Sequence, residues 1–408
     1  MIYRSMPTGE KLSLLGFGIM RMPTVKTDGG LEDIDSAKST ELIDHALAQG
    51  VNYFDTAWPY HDGQSESFLG SALVERYPRD SFYLATKLPA WEINSPQEAD
   101  EVFAKQLKKL RTDYVDFYLM HALDGKRLDH ILNAGLLDWA IALQKSGKIK
   151  RLGFSFHGTI DEFKRILAAH TWDFGQIQLN YLDWELQRAG EAYQLLVDAG
   201  IPVIIMEPVR GGKLASLAPA AEKILKTARP DKSIASWAFS FAGELPEVVT
   251  VLSGMTTMEQ LKDNLKTYSA DEVASAEGSD LCLSRSERKA LDAALEASKL
   301  NNTIPCTACK YCMPCSYDVD IAGVFGAYNA YKMGGSAFGY QMCLKALGDD
   351  ALADSCIGCG DCVPLCPQDI DIPTEMEKIA SEMAELTSVD DFLAERAKTI
   401  AHREKELE

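Results

Sequence analysis

No cysteine precedes Cys282 in a chain of 408 residues that holds ten of them. Eight fall in two tight runs, Cys306 to Cys315 and Cys356 to Cys366. A disulfide framework would not cluster its thiols this way, so the pattern points to metal binding. Long apolar runs are missing too: none approaches the ~18 residues that a membrane span needs. The first residues lack the basic and apolar regions of an export signal, so the expected location is cytoplasmic. Positive charge is short, with 41 Lys and Arg against 60 Asp and Glu, a net charge of −19. That balance argues against nucleic acid or an anionic membrane as partner. What is present is a 46% hydrophobic chain, enough for a full globular core. Its length suits a barrel of roughly 250 residues plus a smaller unit.

Apolar runs and amphipathic segments alternate along the first two thirds. Strands are expected at 12–18, 51–55, 82–87, 114–120, 151–155, 176–180, 201–206 and 248–252. Helices are expected between them, near 36–49, 64–76, 97–110, 129–146, 160–169 and 186–199, with another at about 258–268. About eight such alternations indicate a parallel barrel, with an open doubly wound sheet as the alternative. The expected fold is therefore a (β/α)8 TIM barrel over 1–283, a connecting helix over 284–303 and a smaller helical domain over 304–408. Residues 271–280 read as a polar connection, 321–333 as a helix and 375–408 as a charged surface helix.

Three strand ends carry ionisable groups. Asp55 closes Val51 to Phe54, with Tyr60 in the loop beyond. Lys87 closes the run from Phe82, and His121 closes Tyr114 to Met120. In an α/β barrel the C-terminal strand tips converge on one face, and that face carries the chemistry. Each group also has a structural explanation: an internal ion pair for Asp55 and Lys87, a loop aromatic for Tyr60, a core histidine for His121.

Asp55, Tyr60, Lys87 and His121 in this order, within Phe-Asp-Thr-Ala, Ala-Thr-Lys and Leu-Met-His, resemble the catalytic tetrad of the aldo-keto reductase family. The likeness covers about residues 1–270. It implies hydride transfer between a nicotinamide and a carbonyl. A carbonyl receiving hydride gathers negative charge on oxygen, so a proton donor must stand beside it. Tyr60 would be that acid. A phenol ionises near pH 10, and a neighbouring ammonium favours the phenolate, so Lys87 would make it a better one. Asp55 would hold Lys87 in place, and His121 would orient or polarise the carbonyl.

The same resemblance implies a cofactor path. Gly18, Met20 and Arg21 match the segment after the first strand, and Ser155 and Gln178 match the positions that hold the carboxamide. Phe156 stands where the family has asparagine, and Met206 stands where an aromatic stacks on the nicotinamide. Arg210 and Lys213, around two glycines, would neutralise phosphate. Residues 253–264 resemble the motif at the adenosine end, with Gly254 in the loop and Thr256, Gln260 and Asn264 facing the cofactor. No Arg or Lys occupies the usual 2′-phosphate positions, so NADP and NAD both remain open.

Cys306, Cys309, Cys312 and Cys315 are spaced by two residues each. Cys356, Cys359, Cys362 and Cys366, followed by Pro367, give the bacterial [4Fe–4S] pattern. The fourth cysteine of such a run ligates the other cluster when two are present. The expected sets are Cys306, Cys309, Cys312 and Cys366 for one cluster, and Cys356, Cys359, Cys362 and Cys315 for a second. Ser316 and a shorter last gap in the first run leave the unswapped sets open. Zinc, which takes paired C-x-x-C, is the alternative. Barrel and cysteine runs together resemble the iron–sulfur aldo-keto reductases, whose barrel carries a C-terminal ferredoxin-like domain.

Three functions follow. The first is a carbonyl reductase using nicotinamide, acting on a small carbonyl or other reducible compound. The second is an electron-transfer reductase in which a flavin or the clusters reduce the substrate, fed by a redox partner such as a ferredoxin. The third is a regulatory subunit that binds cofactor without turnover.

Overall fold

A computed structural model describes residues 1–26, 32–270, 281–298, 303–332 and 337–386. The expected connection at 271–280 and the tail beyond 386 lie outside them. The chain divides into two compact units, Met1–Ser216 with Leu225–Leu291, and Leu217–Ile224 with Asp292–Glu408. The change of unit falls inside the helix Arg285–Ser298, where a connecting helix is expected.

The first unit opens with a hairpin, β1 (Tyr3–Ser5) against β2 (Lys11–Ser13), and then enters β3 (Leu15–Gly18). The continuous strand expected over 12–18 is thus two pieces, and Ser13 at the end of β2 donates its N–H to Asn52 Oδ1 and its hydroxyl to Leu15 O, both at 2.7 Å. β4 (Thr24–Lys26) then pairs antiparallel with β5 (Glu32–Ile34). Then follow β6 (Tyr53–Asp55), β7 (Tyr83–Leu88), β8 (Val115–Leu123) and β9 (Ile149–Phe156). The last are β10 (Phe174–Gln178), β11 (Val203–Met206) and β12 (Val248–Ser253). Parallel pairing closes β3, β6, β7, β8, β9, β10, β11 and β12 into a barrel, as expected.

The helices cover the outside. Pro96–Leu110 starts at Ser95, whose hydroxyl accepts from Glu98 N, and buries Ala99, Phe103 and Leu110. The helix expected over 129–146 is two, Gly125–Asn133 and Leu136–Ser146, broken where Gly135 turns left-handed (φ 71°). The segment expected over 186–199 likewise splits into Asp183–Leu186 and Ala189–Asp198 around left-handed Arg188. After Ser65–Leu69 a π turn, Gly70–Val74, carries the chain onward. A side-chain carbon at Gly70 would lie 2.2 Å from Lys109 O, so only glycine lets the two helices approach this closely.

Strand alternation decides what fills the barrel. Tyr53, Ala85, Phe117 and Leu119 share an inner cluster with Phe174, Ile204 and Val249, joined by Met6 and Leu12. Phe54, Tyr118 and Met120, on the other parity, pack in the outer core under the helices. Counting in twos from Tyr53, Ala85 and Leu119, the next inward positions are Asp55, Lys87 and His121.

The second unit contains helices Ile321–Lys332, Ala337–Leu347 and Ile372–Ala384. Its core gathers Ile304, Val324, Phe325, Tyr328, Leu344, Met376 and Ile379. Asn329 pins the approach to the first cysteine run, accepting from Ile304 N at 2.8 Å and donating to Ile304 O at 2.9 Å.

Candidate functional site

The register β6–β7–β8 pairs Asp55 with Ala85 and Lys87 with Leu119, which brings three tips to one end of the barrel. Lys87 Nζ donates to Asp55 Oδ1 at 2.7 Å, to Thr56 O at 2.8 Å and to the Tyr60 hydroxyl at 3.3 Å. Asp55, Lys87 and His121 are buried, and Tyr60 is 9% exposed. Tyr60 reaches this place on a tight loop, with His61 and Asp62 both left-handed after it. His61 also ties that loop to the turn Ile19–Arg21, since Met22 N donates to His61 Nε2 at 3.2 Å.

His121 faces Tyr60 edge-on, with ring centroids 6.2 Å apart. The β8–β9 register shifts here, and left-handed Ala122 donates its N–H to Ser155 Oγ at 2.7 Å. A bulge beside a strand tip re-aims its side chain. Burial holds His121 well below the usual histidine range, and the nearby charges of Lys87, His157 and Arg127 push the same way. The imidazole is therefore neutral at neutral pH. Burial pulls Lys87 down and Asp55 up, and each offsets the shift by its charge on the other.

The structure adds residues that sequence patterns pass over. Trp91, in the turn after β7, lies 5.1 Å from the His121 ring and is partly exposed. Glu66 is fully buried behind β7, accepting from Thr86 Oγ1 at 2.7 Å and Gln106 Nε2 at 2.8 Å. Gln106 also donates to Lys87 O at 3.0 Å, and burial raises the Glu66 pKa. A glutamate inside an apolar helical face, Ser65 to Leu73, is the signal that could have found it.

The expected cofactor residues are more dispersed in their bonding. Gly18 leads into the turn that carries Met20 and Arg21, and Gly254 abuts the Arg21 stem. Arg21 lies 3.6 Å from Glu207, and Thr256 donates to Arg21 O at 2.8 Å. Gln178 donates to Asp183 at 2.9 Å, and Gln176 contacts Met206 Sδ at 3.6 Å. Gln260 closes a capping box on Thr257, and Asn264, 5% exposed, donates to Ser253 at 3.0 Å. Arg210, left-handed in its loop, is fully buried with a guanidinium nitrogen 3.3 Å from Asp183. In this form it is an internal counter-ion, and half-buried Lys213 is the loop's cation nearer solvent.

Two cavities in the second unit are walled by thiols. Cys306, Cys309, Cys312 and Cys366 line one; Cys315, Cys356, Cys359 and Cys362 line the other, which Cys312 also borders. Cys366 has crossed to the first run and Cys315 to the second. Burial and crowding by neighbouring thiols push Cys312 up to about 12 and Cys362 up to about 11. Four crowded sulfurs around a void fit a multi-iron cation that would offset their charge. Ala308 N also donates to Cys306 Sγ at 3.3 Å.

Residues 14–280 match the model of the aldo/keto reductase family, and residues 305–370 match that of a 4Fe-4S dicluster domain. The chain is 27% identical over 289 residues to the uncharacterized oxidoreductase YqkF of Bacillus subtilis, spanning 64% of this chain and 88% of that protein. It is also 27% identical over 281 residues to L-galactose dehydrogenase of Arabidopsis thaliana, spanning 63% and 85%. Aldo-keto reductase AKR11C1 from Bacillus halodurans, holo form, aligns with a TM-score of 0.58 at 25% identity over 72% of this chain and 96% of that one. An aldo-keto reductase from Klebsiella pneumoniae in complex with NADPH shares the fold, with a TM-score of 0.55 at 18% identity over 72% and 95%.

Proposed function

Because the chain belongs to the aldo/keto reductase family and carries a 4Fe-4S domain, we propose that it reduces a small carbonyl compound with a nicotinamide and with Tyr60 as the proton donor. The observation that carries this reading is the contact between Lys87 Nζ and the Tyr60 hydroxyl, at 3.3 Å, in a buried pocket that also holds His121. A bound reduced nicotinamide supplies a hydride to the carbonyl carbon. Tyr60 gives its phenolic proton to the carbonyl oxygen as charge gathers there. Lys87 then stabilises the phenolate left behind, and Asp55 with Thr56 O keeps the ammonium aimed at it. Neutral His121 can donate one ring N–H to the same carbonyl oxygen without repelling Lys87. Trp91 forms an apolar wall beside His121.

Gly18, Met20, Arg21, Ser155, Gln178, Met206, Lys213, Gly254 and Thr256 are the proposed cofactor contacts. Arg210, Gln260 and Asn264 would act through the loops they brace. Two [4Fe–4S] clusters would be held by the crossed cysteine sets that line the two cavities. Each cluster moves one electron at a time.

A flavin-linked reaction is favoured by one observation, the absence of the stacking aromatic and the asparagine at Met206 and Phe156. The visible spectrum of anaerobically purified protein separates the readings. Broad absorbance that bleaches on reduction, without a structured flavin band, supports the nicotinamide enzyme, as does carbonyl-dependent loss of the reduced nicotinamide band. A stoichiometric flavin band with no nicotinamide oxidation would overturn it.

A further inference from the structure

Exposed large hydrophobic side chains are few among the described residues, and three of them, Tyr317, Ile357 and Leu365, surround one cavity. It is the cavity lined by Cys315, Cys356, Cys359 and Cys362. Ile357 is 62% exposed, Tyr317 45% and Leu365 42%. Cys359 between them is itself exposed. The other thiol cavity differs in that none of the exposed large hydrophobics borders it; buried Thr307, Phe325 and Ile370 and exposed Lys310 do. Ile321, Ile372 and Cys312 border both cavities, so the two are neighbours.

Apolar side chains gathered at a surface mark an interaction site more often than chance exposure. The ground around this one is acidic. Residues 303–332 and 337–386 hold twelve Asp and Glu against four Lys and no Arg. Exposed Asp361 lines the cavity, and exposed Asp318 follows Tyr317. An apolar centre within a charged rim is the anatomy of a protein interface.

We propose that Tyr317, Ile357 and Leu365 form the docking face for a one-electron carrier protein with an apolar centre and a basic rim. The proposal rests on the iron–sulfur reading above. Each encounter moves one electron between the carrier and the group held by the Cys359 set, one oxidised and the other reduced, with no bond made or broken. The neighbouring thiol cavity would be the second station. The acidic rim sets the partner's charge, because complementary potentials steer encounter and like charges repel.

The test uses full-length protein reconstituted anaerobically and reduced with dithionite. Its reoxidation is followed in a stopped-flow instrument with cytochrome c as a basic carrier, an acidic ferredoxin as the opposite charge, and oxidised methyl viologen as a small reagent. Iron and visible absorbance are measured for every variant. We expect rapid oxidation by cytochrome c that slows steeply with salt, and a much slower reaction with the acidic protein. Ile357→Ser with Leu365→Ser, and separately Asp361→Lys, should lower the cytochrome c rate by about tenfold while the viologen rate holds. Equal cytochrome c rates in loaded variants would overturn the docking face. Loss of self-association in those variants, with carrier rates unchanged, would give the surface to a second copy instead. A wild-type protein that loads no iron would bring down the iron–sulfur reading itself.

Discussion

The ammonium of Lys87 donates to Asp55 Oδ1 at 2.7 Å, with the two side chains only 1% and 4% exposed. Neither charge can be removed alone without stranding the other away from water. Lys87→Met should therefore destabilise the barrel by about 3–5 kcal/mol, as for other broken buried pairs. Adding Asp55→Asn should restore much of that stability, because the stranded charge is gone, yet restore no turnover. Chemical unfolding and carbonyl reduction, measured on the parent and both variants, check both halves.

Thiol crossing makes a prediction about pairs of variants. Intact protein should hold about eight iron atoms per chain, and Cys366→Ala about four. If Cys366 serves the Cys306 run, adding Cys306→Ala should cost little more iron, whereas adding Cys359→Ala should remove the remainder. Metal analysis with the opposite pattern would restore the unswapped sets.

Glu287 offers a pH test away from the site. The Arg229 side chain, bonded to it, holds its carboxyl down at about 2 from an ordinary 4.5. The folded carboxyl thus binds its proton less readily than the unfolded one. Its contribution is complete above 4.5 and is lost as pH falls toward about 2. With partial exposure discounted, that contribution is on the order of 1–2 kcal/mol. Glu287→Gln should lower the melting temperature at neutral pH and narrow its gap to the parent in acid. A constant gap from neutral to acid pH would contradict the assignment.

Much of the barrel was legible because its strands bury both faces and read as short apolar runs, each ended by a helix signal. The tips at Asp55, Lys87 and His121 were legible for the same reason, as ionisable groups closing apolar runs. The thiol runs carry their own spacing. What escaped depends on partners far apart in sequence. Nothing local says that Arg210 faces Asp183, or that Gln106 reaches both Glu66 and the Lys87 carbonyl. The break at Gly135 escaped because a glycine inside an amphipathic stretch can be tolerated or can end a helix, and packing decides which.

Glu66 is the most consequential of these. Its carboxylate gathers Thr86 and Gln106 against the strand that carries Lys87. Glu66→Leu leaves buried donors unmet and should cost about 1–3 kcal/mol. Glu66→Gln keeps an acceptor and should recover most of that loss. Equal losses for the two, by chemical unfolding, would show that volume rather than hydrogen bonding holds this corner.

The proton donor is tested most directly by Tyr60→Phe in a single turnover, with reduced nicotinamide bound first and carbonyl substrate then mixed in. Nicotinamide affinity, read by its fluorescence, should be unchanged, and hydride transfer should slow by about 10²–10⁴-fold. Transfer at the parent rate would show that another group delivers the proton and that the meeting of Tyr60 with Lys87 is structural.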